Sequence, residues 1–351
     1  MGSGIWNYAK EFGNPVIEDD AATFVWFGKK APLIRGDFTD WEWGKPAKFK
    51  RVEPERWLFR HTFPKNAYIE YAFWEGDQRV PDPFNNRKTP NGVGEVNHYF
   101  YMPQAGPNHL AQRSTQHKRI QGMLSNHLIE SGFFANGKRR IYLYQPETES
   151  PCPLIVVWDG YDYLRRAKLD IIIDNLIAQN RITPIALAMI PNGGKARMVE
   201  YACSEASAAL IEAEILPLCQ QRLNLIDIRQ NPGAYGILGA SMGGLMALYT
   251  ALRLPHLFGK VISQSGAFAM FDRNLVVWDL LEYARSLPQT ISMSVGQFDF
   301  VSLLTANRKM AHLVRQLSID FNYREYPAGH NYPAWRDDIH HHLEYTFPFK
   351  G

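Results

Sequence analysis

Cysteine is scarce, with three residues in 351, at Cys152, Cys203 and Cys219. An odd number in a long chain, with no C-x-x-C or metal-ligand spacing, excludes a disulfide framework and a zinc-finger-type site, and free thiols in a reducing compartment are the expectation. Charge of one sign is scarce as well. Lys and Arg number 38 against 35 Asp and Glu, a net charge of +3 spread along the chain, which argues against a nucleic-acid surface. No apolar run is long enough to span a bilayer. The start, Met-Gly-Ser-Gly-Ile-Trp, has no basic segment leading into an apolar one. No signal peptide is therefore expected, and the cytoplasm is the expected location, with secretion left open should a leader have been trimmed. Trp6 stands where a myristoylation signal needs Ser or Thr. Repeats and low-complexity tracts are missing too. What remains is a globular balance of 46% hydrophobic and 21% charged residues, enough for a sizeable core, at a length that suggests two domains.

Residues 21–102 read as short strands. Runs at 23–27, 32–36, 57–63 and 68–74 are β-branched or aromatic with partial alternation, and Gly, Pro, Asp and Asn separate them. Strands at that spacing suggest a β-sandwich. Tryptophan is dense here, at Trp26, Trp41, Trp43, Trp57 and Trp74. Arg35-Gly36-Asp37-Phe38-Thr39-Asp40-Trp41 and Val80-Pro81-Asp82-Pro83-Phe84-Asn85 resemble signatures of immunoglobulin-like early-set modules, which occur as carbohydrate-binding domains and at the front of enterochelin esterases. Trp41 or Trp43 could stack on a sugar ring. Filling a small core is the plainer role for any one of these tryptophans.

A polar stretch from Pro103 reads as a linker. The expected division is 1–103 for the sandwich, 104–118 for the linker and 119–351 for a second domain. Residues 125–131 and 139–144 read as an antiparallel pair. Short continuous apolar runs at 153–158 and 184–190 read as strands buried on both faces. Further strands are expected at 234–238, 260–265, 291–296 and 321–326. Helices are expected at 169–179, 204–219, 244–252 and 303–317, with one more from about 332. Strands alternating with helices imply a doubly wound, mostly parallel sheet, whose chemistry sits at the carboxyl ends of the strands.

The strand at 234–238 runs into Gly239-Ala240-Ser241-Met242-Gly243. Gly-x-Ser-x-Gly between a strand and a helix is the nucleophile elbow of α/β-hydrolases. A serine nucleophile needs a histidine base and a carboxylate that orients it, and in this fold they follow in the order acid, then histidine, each in a loop after a strand. His330, in Pro327-Ala328-Gly329-His330, fits the base, and Asp299, after Val295-Gly296, fits the acid. Asp272, Asp279, Asp337 and Asp338 compete less well by position, and Asp299 has an ordinary alternative as a helix cap. His340, His341 and His342 read as a solvated helix face rather than a metal site. An oxyanion hole needs two backbone N–H groups. Met242, which follows the serine, supplies one, and Gly160 or Tyr161 in the loop after the 153–158 strand supplies the other. Asp159 beside them has turn formation as its alternative. Arg197, on a loop, is a candidate contact for an anion or an aromatic ring, or forms a salt bridge to Glu200.

Trp158-Asp159-Gly160, Arg197-x-x-Glu200-Tyr201, Glu214-Ile215-Leu216-Pro217, Gly239-x-Ser241-x-Gly243-Gly244, Pro255-x-x-Phe258-Gly259, Ser263-Gln264-Ser265-Gly266 and Gly329-His330 followed by Trp335 occur in one order. With them, residues 125–347 resemble the putative-esterase (esterase D-like) family of α/β-hydrolases, and the whole chain resembles its enterochelin esterase branch. The resemblance implies a metal-independent serine esterase with a Ser241, Asp299 and His330 triad and no cofactor, and it places Arg197 and Glu200 near the site. Ala267-Phe268-Ala269-Met270 stands where that branch tends to show an aromatic pair, so the substrate stays open. It is a catechol siderophore or related aromatic ester, or else a feruloyl or acetyl ester on a carbohydrate. A non-catalytic hydrolase-fold binding protein is the reading from another class. The expected partner is a small-molecule or carbohydrate-linked ester, with no nucleic acid, no membrane and the oligomeric state open.

Overall fold

The computed structural model describes residues 4–92, 94–113, 121–270 and 273–349. The fold is mixed α/β. Its residues group into two compact units, and the division does not follow the chain linearly: residues 1–107, 296–301 and 326–334 form one, and the remainder forms the other. Asp272 and residues 114–118 of the expected linker lie outside the described residues.

The first unit is built on antiparallel β-sheets. Val16–Glu18, Ala21–Phe27, Arg56–Thr62 and Lys50–Glu53 form one sheet in that order. Ala47–Lys48, Leu33–Gly36, Tyr68–Glu75, Val96–Tyr101 and Lys88–Pro90 form a second, with Gln78–Val80 added on Tyr68–Glu75. The aromatic density of this segment becomes a core of Phe24, Tyr71, Phe73 and Phe100, all fully buried. The Phe24 and Tyr71 rings meet edge-on at 4.9 Å, a favoured arrangement of ring quadrupoles. Asp82 and Asn85, from the second early-set-like signature, tie this core together. Asp82 accepts from the Tyr71 hydroxyl at 2.6 Å and from Asn14 at 2.9 Å, and Asn85 donates to the Tyr71 hydroxyl at 2.9 Å. Trp41 is buried, while Trp43 is 82% exposed.

The second unit is organised around an eight-stranded sheet. Its order is Met123–Glu130, Lys138–Gln145, Ala186–Ile190, Leu154–Trp158, Gly236–Ala240, Lys260–Gln264, Thr290–Gly296 and Asp320–Tyr326. The first two strands pair antiparallel, and the second is antiparallel to Ala186–Ile190. From there to Thr290–Gly296 every pairing is parallel. The register levels Ala240 with Gln264, and Gln264 with Ser294. Leu154–Trp158, Ala186–Ile190 and Gly236–Ala240 are buried at every residue, as strands covered on both faces must be.

The structure corrects three expectations. The elbow strand is Gly236–Ala240, not 234–238. Ala234 forms an antiparallel bridge with Phe258, and the Tyr235 N–H bonds to the Leu257 carbonyl at 3.2 Å, so the chain enters the parallel sheet two residues later. The helix expected at 204–219 is interrupted. Glu205–Leu210 passes through a π-helical turn, Ile211–Ile215, into Leu216–Arg222. Pro217 has no N–H for the α-helical ladder, and a widened turn before it absorbs that loss.

The third concerns the histidine run on the helix Tyr332–Thr346. His342 is fully buried. It lies 2.7 Å from Ser292 Oγ, 2.8 Å from Ser294 Oγ and 3.0 Å from Asp338, which also accepts from Arg324 at 3.2 Å. The buried stripe Trp335, Ile339, His342, Leu343 and Thr346 has the spacing of one helix face. His340 is half-buried, and burial, then the His341 charge, lowers its pKa from 6.5 to about 4. The folded protein thus refuses a proton that the unfolded chain accepts below pH 6.5, so this group subtracts stability as pH falls from 6.5 towards 4. His340→Gln should therefore narrow the gap between melting temperatures measured at pH 7 and near pH 4.5; an unchanged gap would contradict it.

The three cysteines are free thiols. Among the described residues, no helix is long and apolar enough to cross a membrane, and no cluster of three or more His, Cys, Asp or Glu could hold a metal ion.

Candidate active site

The parallel strands end together, and the loops that follow them carry the chemical groups. Ser241 follows Gly236–Ala240 and precedes the helix Met242–Arg253, with φ 57° and ψ −124°. A non-glycine residue rarely adopts that conformation, which costs about 1–3 kcal/mol. The surrounding backbone enforces it. The Ser241 N–H donates to the Gln264 carbonyl at 2.9 Å, and its carbonyl accepts from the N–H groups of Leu245 and Ala267 at 3.1 and 3.0 Å. The turn is so tight that a Cβ on Gly239 would lie 2.1 Å from the Gly243 carbonyl oxygen. Gly239 therefore has no larger substitute.

Met242 is the first residue of its helix, so its N–H has no intrahelical acceptor. The loop after Leu154–Trp158 begins with Asp159 in the left-handed region, φ 54°, and opens the short helix Gly160–Arg165. The N–H groups of Asp162 and Tyr163 both bond to the Asp159 carbonyl, at 2.9 and 3.1 Å. Gly160 and Tyr161 precede them, in positions where a helix leaves amides unpaired. Gly160 is buried, and Tyr161 is 46% exposed.

Asp159 does more than form a turn. Its carboxylate, 1% exposed, is gripped by Arg197 through Nε at 2.8 Å and Nη2 at 2.6 Å, and it accepts from Asn192 at 2.7 Å. The Arg197 guanidinium also lies 5.1 Å from the centre of the Tyr201 ring. The salt bridge weighed for Arg197 and Glu200 is not formed. Glu200 pairs with Arg139 instead, Oε1 with Nη2 at 2.8 Å and Oε2 with Nη1 at 3.0 Å, and Oε1 also accepts the Ala135 N–H at 3.2 Å. Both side chains of that pair are 7% exposed. Of Asp159, Arg197 and Glu200, only Arg197 presents appreciable side-chain surface, at 27%. Asn192 and Arg139 were missed from the sequence, which offers no local spacing to reveal them.

Asp299 and His330, the candidate acid and base, belong to the first unit. Asp299 follows Thr290–Gly296, and His330 follows Asp320–Tyr326. His330 Nδ1 and Asp299 Oδ1 are 2.9 Å apart. A carboxylate only accepts, so this contact puts the proton on Nδ1 and makes Nε2 the basic nitrogen. Asp299 Oδ1 also accepts the Phe300 N–H at 2.7 Å, and the carboxylate side chain is fully buried against 16% exposure for His330. The Phe300 ring lies 5.2 Å from the imidazole. Among the competing acids, Asp279 lies within the helix Val276–Tyr283, Asp337 binds Arg336 at 2.8 Å, and Asp338 binds Arg324 and His342.

A sequence profile of the family described as "Putative esterase" matches residues 134–346. The iron(III) enterobactin esterase of Dickeya dadantii is 26% identical over 223 residues, which is 58% of this chain and 50% of that protein. The chain spans about half the length of the curated relatives it matches first. The crystal structure of the enterobactin esterase from Shigella flexneri superposes with a TM-score of 0.75 at 20% identity, covering 99% of this chain and 98% of that one. A ferulic acid esterase structure covers 65% of this chain and 98% of its own, with a TM-score of 0.56 at 18% identity.

Proposed function

Because the chain belongs to the putative-esterase family, we propose that it is a carboxylic ester hydrolase working through a Ser241, His330 and Asp299 triad. In this reading the eight-stranded sheet is that of an α/β-hydrolase, and the N-terminal sheets are an immunoglobulin-like early-set sandwich. Ser241 Oγ attacks the ester carbonyl as His330 Nε2 takes its proton. Asp299 holds the imidazole in the Nδ1–H tautomer and stabilises the imidazolium. The Met242 N–H, with that of Gly160 or Tyr161, receives the developing oxyanion. His330 returns the proton to the leaving alcohol, and the acyl group stays on Ser241. A water molecule, deprotonated by the same imidazole, then attacks the acyl carbon, and the imidazolium returns that proton to Ser241 Oγ as the acid is released. The observation that carries this reading is the backbone of Ser241. A strained serine directly after a central strand supports a nucleophile elbow, and the Asp299–His330 hydrogen bond supports an imidazole held ready as a base.

For the substrate, the proposal is a catechol-type siderophore ester or a related aromatic ester, by likeness to the enterobactin esterases. Arg197 suits an anionic or aromatic acyl group through charge and planar stacking. The exposed Trp43 favours a second reading, an ester carried on a carbohydrate, because an aromatic face can stack on a sugar ring. One experiment tests both: steady-state hydrolysis of p-nitrophenyl acetate, a cyclic dihydroxybenzoyl-serine triester and a feruloylated oligosaccharide. A higher kcat/KM for the triester is the expected result. A higher value for the feruloyl ester would shift the substrate class, and no turnover of any of the three would sink the hydrolase reading.

A further inference from the structure

The loops that carry Asp299 and His330 emerge from the strands of the large sheet, yet they cluster with residues 1–107. Four contacts within that unit hold them. The Tyr68 N–H, at the start of the strand Tyr68–Glu75, donates to the Pro327 carbonyl at 3.1 Å, three residues before His330. The Phe63 and Phe298 rings meet at 5.8 Å, next to Asp299. Asp37 lies against Gly329 so closely that a Cβ there would sit 2.1 Å from the carboxyl carbon. That carboxylate is itself fixed, by the Glu70 N–H at 2.8 Å and the Trp41 indole N–H at 3.0 Å. Finally, Asp40 Oδ1 accepts the Val301 N–H at 3.2 Å, across 261 residues of chain. Val301 opens the helix Val301–Val314, two residues after Asp299. Asp40 thus performs from the N-terminal sheets the service that an N-cap residue normally performs from the adjacent position. Within the pair of loops, the Gln297 N–H bonds to the Tyr326 carbonyl at 2.8 Å and the Phe298 N–H to the Ala328 carbonyl at 3.1 Å. What fixes one loop therefore fixes the other.

We infer that the N-terminal β-sheets are the mount of the acid–base pair, with Asp37 and Asp40 as positioning residues for His330 and Asp299. The motif that reads as a binding-module signature, Arg35 to Trp41, acts on turnover through the loops it braces. The inference rests on His330 and Asp299 being the base and acid of the proposed esterase. Catalytic groups must be held to within about half an ångström, and a displacement of about 1 Å can cost on the order of 100-fold in rate. Burial, then the Glu70 charge, pushes the Asp37 carboxyl well above its ordinary range, so substitution there disturbs two buried carboxyl groups at once. Asp40 is the cleaner probe because it is partly exposed and stands at φ 54°, where glycine and asparagine are both tolerated.

The experiment compares Asp40→Gly and Asp40→Asn with the parent, in the full chain. Asp40→Gly removes the acceptor without straining the turn. It should lower kcat for p-nitrophenyl acetate by about tenfold, with KM changed by less than about twofold, and slow fluorophosphonate labelling of Ser241 in parallel. Asp40→Asn keeps an oxygen that can accept the Val301 N–H and should restore kcat to within about twofold of the parent. A glycine variant with parental kcat, or an asparagine variant as slow as the glycine one, overturns the inference while the serine-esterase reading stands. A parent that is neither labelled nor active removes that reading and this inference with it.

Discussion

Ser241→Ala is expected to lower turnover of p-nitrophenyl acetate by about 10⁴-fold or more, with the fold retained. The elbow does not depend on the hydroxyl. Ser241 is held through its N–H to Gln264 and its carbonyl to Leu245 and Ala267, all backbone contacts that alanine keeps. Alanine gains nothing at φ 57°, so the strain persists and the melting temperature should move little. In the proposed mechanism, the residual rate reports the amides of Met242 and of Gly160 or Tyr161 acting on bound ester without the serine nucleophile. Intact-mass analysis after fluorophosphonate treatment provides the check, with an adduct on the parent chain and none on the variant. An alanine variant with full activity would end the assignment of Ser241.

Asp299→Asn is expected to be of similar size, again on the order of 10⁴-fold in kcat. Here the geometry gives two routes to the loss. If the amide oxygen keeps the Oδ1 position, it still accepts the Phe300 N–H and the His330 Nδ1–H, but the negative charge that stabilises the imidazolium is gone. The amide nitrogen then occupies the Oδ2 position, a buried atom with no hydrogen-bond partner among the described residues. If the amide turns over, its NH₂ meets Nδ1, the proton moves to Nε2, and the base is lost outright. Asp272→Asn serves as the comparison. An active Asp299→Asn beside an inactive Asp272→Asn would show that the acid was misassigned.

The large sheet was legible because a strand buried on both faces must be a short, continuous apolar run, and Leu154–Trp158 and Ala186–Ile190 are such runs. Strand ends were less so, since Ala234 and Tyr235 look like strand and pair with the Leu254–Gly259 turn in the opposite sense. The histidine run misled for a related reason. Polarity suggested a solvated face, but two strand serines and Asp338 give His342 the hydrogen bonds that make burial tolerable. Ion-pair partners were the least visible. Arg197 and Asp159 are 38 residues apart and Arg139 and Glu200 are 61 apart. Their neighbours in the chain carry no trace of the pairing, whereas Arg197 and Glu200 share a helix and looked like partners. The same holds for Asp40 and Val301, where a capping residue sits in another part of the chain altogether.

The makeup of the first unit also bears on how the chain matures. Its β-sheets are made from residues at the front, and it is completed only by residues 296–301 and 326–334. During synthesis the early strands can pair as they emerge, since each meets its partner within a few dozen residues. The loops bearing Asp299 and His330 have to be captured afterwards, across a chain segment of nearly two hundred residues that builds its own sheet. Such distant closures are slow, because loop entropy is lost before the contact compensates for it. The unit begun first is therefore finished last. Under the proposed triad, a nascent or C-terminally clipped chain would carry Ser241 without the Asp299 and His330 pair.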